Sequence, residues 1–144
     1  MLNKSQYRIL AIGKIRKPWI QEGVNSYKKR MPGLTIIELR DSNPEKETQS
    51  IFSLLRKGEK VVCLTEEGEF LSSIAFSNRL KEFQHQRIAF IIGGANGLPP
   101  KVKNFASWQF SLSNLTFPHE LAQLLLIEQI YRAQMIQQGS PYHR

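Results

Sequence analysis

The 144-residue chain carries 20 Lys and Arg against 12 Asp and Glu, a formal net charge of +8, and 41% of its residues are hydrophobic, which makes one domain able to bury about 70% of its unfolded-chain surface without cross-links. A single cysteine, Cys63 in the apolar stretch VVCLT, excludes a disulfide framework and a cysteine-based zinc site and suits a reducing cytoplasm. The N-terminal MLNKSQYRILAIGK lacks the hydrophobic region of a signal peptide, and no apolar run approaches a membrane span.

Strand and helix patterns alternate from one end to the other. YRILAIG (7–13) reads as a first strand, and Pro18 and Trp19 open a helix running to about Met31. LTIIEL (34–39) is a second strand. DSNPEKETQSIFSLLRKG follows as a helix, with Ser42 or Asn43 as its cap, Pro44 in the first turn, early acids and Gly58 at its close. KVVCLT (60–65) is a third strand, and Ser72 or Ser73 starts a helix with Ile74, Phe76, Leu80 and Phe83 on one side. RIAFIIGG (87–94) is a fourth strand, PPKVKNFA a short helix, SWQFSLS (107–113) a fifth strand, and 118–138 the closing helix. Short strands alternating with helices predict an α/β fold, a single domain over 1–144 with a mostly parallel sheet of five or six strands and helices on both faces. The third and fourth strands are apolar on both sides, as a doubly covered sheet requires.

The closing helix departs from the one-stripe pattern of a surface helix. From Leu121 to Ile127 only Gln123 is polar, so this half should be buried on more than one side. The sheet supplies one cover, and a second copy of the chain supplies the other, which predicts a homodimer through this helix. The competing arrangement buries the helix within a monomer.

Charge is unevenly placed. The first 37 residues hold Lys4, Arg8, Lys14, Arg16, Lys17, Lys28, Lys29 and Arg30 against Glu22, a net +7, while the remaining residues come to +1. Such a concentration is the footprint of a polyanionic partner, although Lys28, Lys29 and Arg30 would equally suit the C-terminal dipole of the first helix.

Ligands of open α/β sheets bind outside the carboxyl ends of the strands, and three such ends stand out. LTEEGEFLSS begins with Leu64 as an apolar wall. GGANGLPP supplies Gly93, Gly94 and Gly97, where the backbone turns sharply and a ligand comes close; on that reading Gly93→Val abolishes ligand binding while the domain stays folded. SLSNLTFPHE supplies small hydroxyls and backbone donors. None matches a dinucleotide fingerprint or a P-loop, no nucleophile elbow occurs, and His85, His119 and His143 lack metal-ligand spacing, so each reads as a solvated or capping histidine and no metal is expected.

FIIGGANGLP, FSLSNLTFPHELAQLLLIEQIYRA and SPYHR, in that order and at those separations, resemble the RlmH family of SPOUT-class methyltransferases, across the whole chain and most specifically from residue 87 onward. The resemblance implies a SPOUT-type sheet with a C-terminal trefoil knot and methylation of N3 of a pseudouridine in a stem-loop of 23S, large-subunit ribosomal RNA, on the assembled ribosome. The implied cofactor is S-adenosylmethionine, held largely by backbone groups at Leu64, Gly93, Leu112, Ser113, Asn114, Leu115, Thr116 and Phe117. Ala95 and Asn96 stand where many members have Pro and Glu. Methyl transfer from a sulfonium needs alignment of donor and acceptor and help for an imide nitrogen losing its proton. The resemblance gives Arg132 the role of stabilising the anionic base, with Glu128 one turn earlier as its orienter, and Tyr142, His143 and Arg144 that of closing the active site. As a bare pair, Glu128 and Arg132 would be an ordinary i, i+4 ion pair. A non-catalytic RNA-binding or ribosome-associated factor of the same fold is the alternative function.

Overall fold

The computed structural model describes residues 6–83 and 86–144; Lys4 and His85 lie outside the described residues. Five strands form one parallel sheet: β1 (Tyr7–Ile12), β2 (Leu34–Leu39), β3 (Lys60–Phe70), β4 (Ile88–Ile92) and β5 (Trp108–Ser111), in the order β2-β1-β4-β3-β5. The helices between and after them are α1 (Pro18–Arg30), α2 (Pro44–Leu54), α3 (Ser73–Glu82), α4 (Pro100–Phe105) and α5 (His119–Gln137).

Alternation along the strands builds two cores. Ile9 and Ala11 of β1, Val62 of β3, Ile88 and Phe90 of β4 and Phe110 of β5 face a layer made by α1, α3 and α5, whereas Leu10, Ile12, Val61, Cys63 and Ile91 face α2 and α4. Both faces are covered, so the central strands can be apolar throughout. Cys63 is a packing residue whose thiol burial pushes up to about 12, against a smaller pull from Lys103.

Local chemistry sets the helix starts. Asn43 caps α2 by accepting from Lys46 N–H at 2.8 Å, and Ser72 caps α3 by accepting from Ala75 N–H at 3.1 Å, each pairing a donor the first turn leaves free. Gly58, with φ +79, lies in the turn after α2, beyond its last residue Leu54.

Two differences from the sequence pattern matter for the site. The third strand runs on to Phe70, because its register slips: Leu64 and Glu69 both lie opposite Phe110, so residues 65–68 bow out and return. Gly68 makes the return possible, since a β-carbon there would come within 2.6 Å of the Phe110 backbone. In α5, Gln123 points inward, 3% exposed with its Nε2 unpartnered among the described residues, while Leu121, Leu124 and Leu125 are half-buried.

The chain then crosses the molecule. From β5 at one edge, residues 112–118 pass to the start of α5, where Glu120 bonds the backbone just beyond β1. That crossing runs over the carboxyl ends of β3 and β4.

Candidate active site

The bowed segment of β3, the glycine loop after β4 and the crossing after β5 enclose a cleft of about 860 Å³, within the usual range of small-molecule sites. Leu64, Gly93, Leu112, Ser113, Leu115, Thr116 and Phe117 all line it; Asn114 is exposed and does not. Each wall is braced from within. Lys103 of α4 pairs with Glu67 at 2.7 Å, which holds the Glu67 carboxyl below its ordinary range, and Thr65 Oγ1 lies 3.3 Å from Gln109 Oε1. Ser111 Oγ donates to Ser113 O at 3.0 Å, and Ser113 Oγ accepts from Leu115 N–H at 3.0 Å. The N–H groups of Thr116 and Phe117 meet no acceptor among the described residues, so they remain available to a ligand. Small side chains, open amides and an apolar Leu64–Leu112 wall suit a compact, nucleoside-like molecule held by main-chain groups.

Gly93 has a reason to be glycine that is internal to the loop. A β-carbon there would lie 2.5 Å from Gly97 C and 2.7 Å from Leu98 N, because the loop folds back on itself through a Gly94–Gly97 bridge. The space is taken by the protein's own backbone, so a valine would disturb the loop itself and could not separate binding from folding.

A second group gathers on the far half of α5. Glu128 accepts from Arg132 Nη2 at 2.7 Å and Nε at 3.3 Å, and from the Tyr142 hydroxyl at 2.7 Å. The Glu128 bond raises the Arg132 pKa, and burial, followed by the Tyr27 and Glu128 contacts, raises that of the Tyr142 phenol. Arg132 Nη1 meets His143 Nδ1 at 3.0 Å. A guanidinium can only donate, so Nδ1 is the acceptor and the imidazole proton of this arrangement sits on Nε2. Among the described residues, three of the five Arg132 N–H donors are thereby engaged and two are not. The Arg132 guanidinium also lies 4.9 Å from the Tyr142 ring centroid. Arg144 is exposed and, among the described residues, bonds only Pro141 O, at 3.3 Å, outside this network.

The structure therefore brings Glu128, Arg132, Tyr142 and His143 together, but not beside the cleft of the same chain. Ala122 lines the cleft and Arg132 lies ten residues further along α5, about 15 Å at helical rise.

Residues 5–143 match the family described as "Predicted SPOUT methyltransferase". A "Ribosomal RNA large subunit methyltransferase H" from a Synechococcus species is 62% identical over 143 residues, covering 99% of each chain, and one from Prochlorococcus marinus is 60% identical over 144 residues, covering 100% of this chain and 99% of its own. The chain belongs to the SPOUT methyltransferase family. Solved structures agree on the fold: a probable methylase family protein from Haemophilus influenzae superposes with a TM-score of 0.64 at 13% identity, over 97% of this chain and 71% of that one. The SpoU methyltransferase AviRb from Streptomyces viridochromogenes, in complex with AdoMet, gives 0.54 at 12% identity, over 94% and 60%.

Two residues of this SPOUT chain lie at the site although the sequence does not place them there: His119 reads as a solvated or capping histidine, and Tyr27 is not singled out. His119 lines the cleft, and its Nε2 lies 3.4 Å from where a Gly13 β-carbon would be; its place after Pro118 at the start of a helix was the available signal. Tyr27 of α1 lies 3.3 Å from the Tyr142 hydroxyl. Since Tyr142 gives its proton to Glu128, Tyr27 is the donor in that contact, and nothing local to its position foretold a partner in the tail.

Proposed function

We propose that this SPOUT methyltransferase transfers a methyl group from S-adenosylmethionine to N3 of a pseudouridine in a stem-loop of 23S ribosomal RNA, acting in the cytoplasm on the assembled ribosome. The observation that carries the reading is the near-complete, 62% identity to a ribosomal RNA large subunit methyltransferase H. The cofactor supplies an electrophilic methyl group. Leu64, Gly93, Leu112, Ser113, Leu115, Thr116 and Phe117 would hold it, mainly through main-chain groups, with Asn114 at the outer edge of the loop. Arg132, oriented by Glu128 and His143, presents its two remaining donors to the anionic base left when N3 loses its proton, where a fixed cation is worth more than in water. Tyr142 supports Glu128, and Arg144 closes the rim.

Two copies would complete the site. Cleft and tail are too far apart in one chain, and apolar surface surrounds α5: Trp19 is 59% and Leu115 71% exposed. Trp19 lies one turn before Gly23, which packs on Leu124 of α5, so it extends the Leu121–Leu125 surface. A dimer through α5 covers these side chains and sets one copy's tail at the other's cleft. The crossing after β5 would be threaded as the trefoil knot.

Calorimetric titration with S-adenosylmethionine and single-turnover methylation of ribosomes test the reading together. Removing Tyr142, His143 and Arg144 should preserve cofactor binding and abolish methylation. Absence of cofactor binding by the intact protein, or wild-type methylation by the shortened one, overturns it.

A further inference from the structure

The cations of the first 37 residues are not equivalent once placed in the fold. Arg8 is buried against Glu59 and cannot meet a partner. The Arg30 guanidinium lies over the rings of Tyr27 and Tyr131, at 5.4 and 5.5 Å, while Lys28 and Lys29 occupy the last turn of α1. Lys14, Arg16 and Lys17, exposed and without an ion pair among the described residues as Lys28 and Lys29 also are, differ in lying in the loop between β1 and α1.

That loop is held unusually firmly for a solvated connection. Gly13, at φ +95, donates to Leu39 O at 2.8 Å. Ile15 is buried, its N–H donates to Glu38 at 3.0 Å and its carbonyl accepts from Gln21 at 2.8 Å. The N–H groups of Arg16 and Lys17 both donate to one oxygen of Glu120, at 2.8 and 3.1 Å, and Lys17 leads the causes that hold the Glu120 carboxyl below its ordinary range. Both acids are bonded to main-chain amides and neither forms a side-chain ion pair with Lys14, Arg16 or Lys17 among the described residues, although the Glu120 charge still reaches Lys17. Glu120 is next to His119, a residue of the cleft wall. Solubility needs three charges but not a fixed backbone beneath them.

We propose that residues 13–17 form a pre-organised phosphate clamp, in which Lys14, Arg16 and Lys17 grip the backbone of the substrate RNA beside the cleft. The inference rests on the ribosomal RNA reading and deepens it by assigning the contacts. Phosphate contacts set position and orientation without reading bases, and a loop ordered before binding loses less entropy when it engages. The clamp accordingly aligns the RNA so that one nucleotide can enter the cleft.

The test compares wild type with the triple variant K14Q/R16Q/K17Q and with Glu120→Ala, using purified large ribosomal subunits and a protein-free ribosomal RNA stem-loop across a salt series. Each lost phosphate contact lowers the slope of log affinity against log salt by about one. The triple variant should therefore bind both RNAs about 10- to 100-fold more weakly with a slope reduced by about two to three, while S-adenosylmethionine affinity and circular dichroism are unchanged. Glu120→Ala frees the loop but also removes a negative charge beside it, so it is read against Glu120→Gln, which loses the same charge and keeps the acceptor oxygen; Glu120→Ala should bind RNA more weakly than Glu120→Gln, with an equal slope. Unaltered RNA binding by the triple variant overturns the proposal. Weaker binding to subunits alone, with the slope unchanged, also overturns it and assigns the loop to a protein contact. Equal affinity of Glu120→Ala and Glu120→Gln refutes pre-organisation. Loop-dependent binding by a wild-type protein that transfers no methyl group would instead sink the methylation reading and leave the clamp standing.

Discussion

Tyr27 reaches across 115 residues of sequence to hold the Tyr142 hydroxyl, and through it the Glu128 and Arg132 pair. Removing that one donor by Tyr27→Phe deletes a neutral hydrogen bond of about 1 kcal/mol. Methyl transfer should fall about fivefold while cofactor affinity holds, as read by single-turnover rate and calorimetry; an unchanged rate would mean that the tail is fixed without it. At Gly93 even an alanine meets backbone within 2.8 Å, so Gly93→Ala should lose about 1–3 kcal/mol of stability in a denaturant titration together with cofactor affinity. Loss of affinity at unchanged stability would return that position to a purely ligand-facing role. The Glu128–Arg132 pair was legible in the sequence because i, i+4 spacing is local. Tyr27 was not, because its partner is set by packing, and the reason for Gly93 was not, because the colliding atoms belong to a loop closing on itself.

Among the elements, β1 is pinned by a pair that no pattern of periodicity announces. Arg8, on a strand otherwise apolar but for Tyr7, donates to both oxygens of Glu59, at 2.8 and 2.7 Å, and to Leu54 O at 2.8 Å, tying β1 to the turn between α2 and β3. Burial pushes the Glu59 carboxyl up, but the Arg8 hydrogen bonds, the Arg56 N–H and the two guanidinium charges outweigh it and hold the group below its ordinary 4.5. A depressed folded pKa means that this stability is present above the unfolded value and is lost as pH falls through the folded one. Denaturation midpoints measured from pH 7 downward should show that loss in wild type and not in Arg8→Met/Glu59→Leu. Arg8→Ala alone, which strands a buried carboxylate, should cost about 3–5 kcal/mol at neutral pH, and a loss under 1 kcal/mol would contradict the pairing. The order of strands and helices was readable because hydrophobic period and turn residues are local signals. The bow in β3 was not, since TEEGEF acquires its shape only from Phe110 lying beneath Gly68, and the inward turn of Gln123 likewise depends on neighbours remote in sequence.

For the molecule as a whole, the apolar surface along α1 and α5 predicts assembly: light scattering should give a mass about twice 16.6 kDa, and a 16.6 kDa species at micromolar concentration would leave tail and cleft unable to meet. The strand that bows away between Leu64 and Glu69 carries a further consequence. Its residues 62–64 lie in register between two neighbours, whereas 65–68 pair in register with neither, although 65–67 form one wall of the cleft. Opening that costs little free energy exchanges quickly, and opening that needs the core to separate exchanges slowly. In heavy water, therefore, a patch of rapid deuterium uptake should sit inside an otherwise protected strand, and slowing of that patch alone would report occupancy of the cleft without any measurement of catalysis.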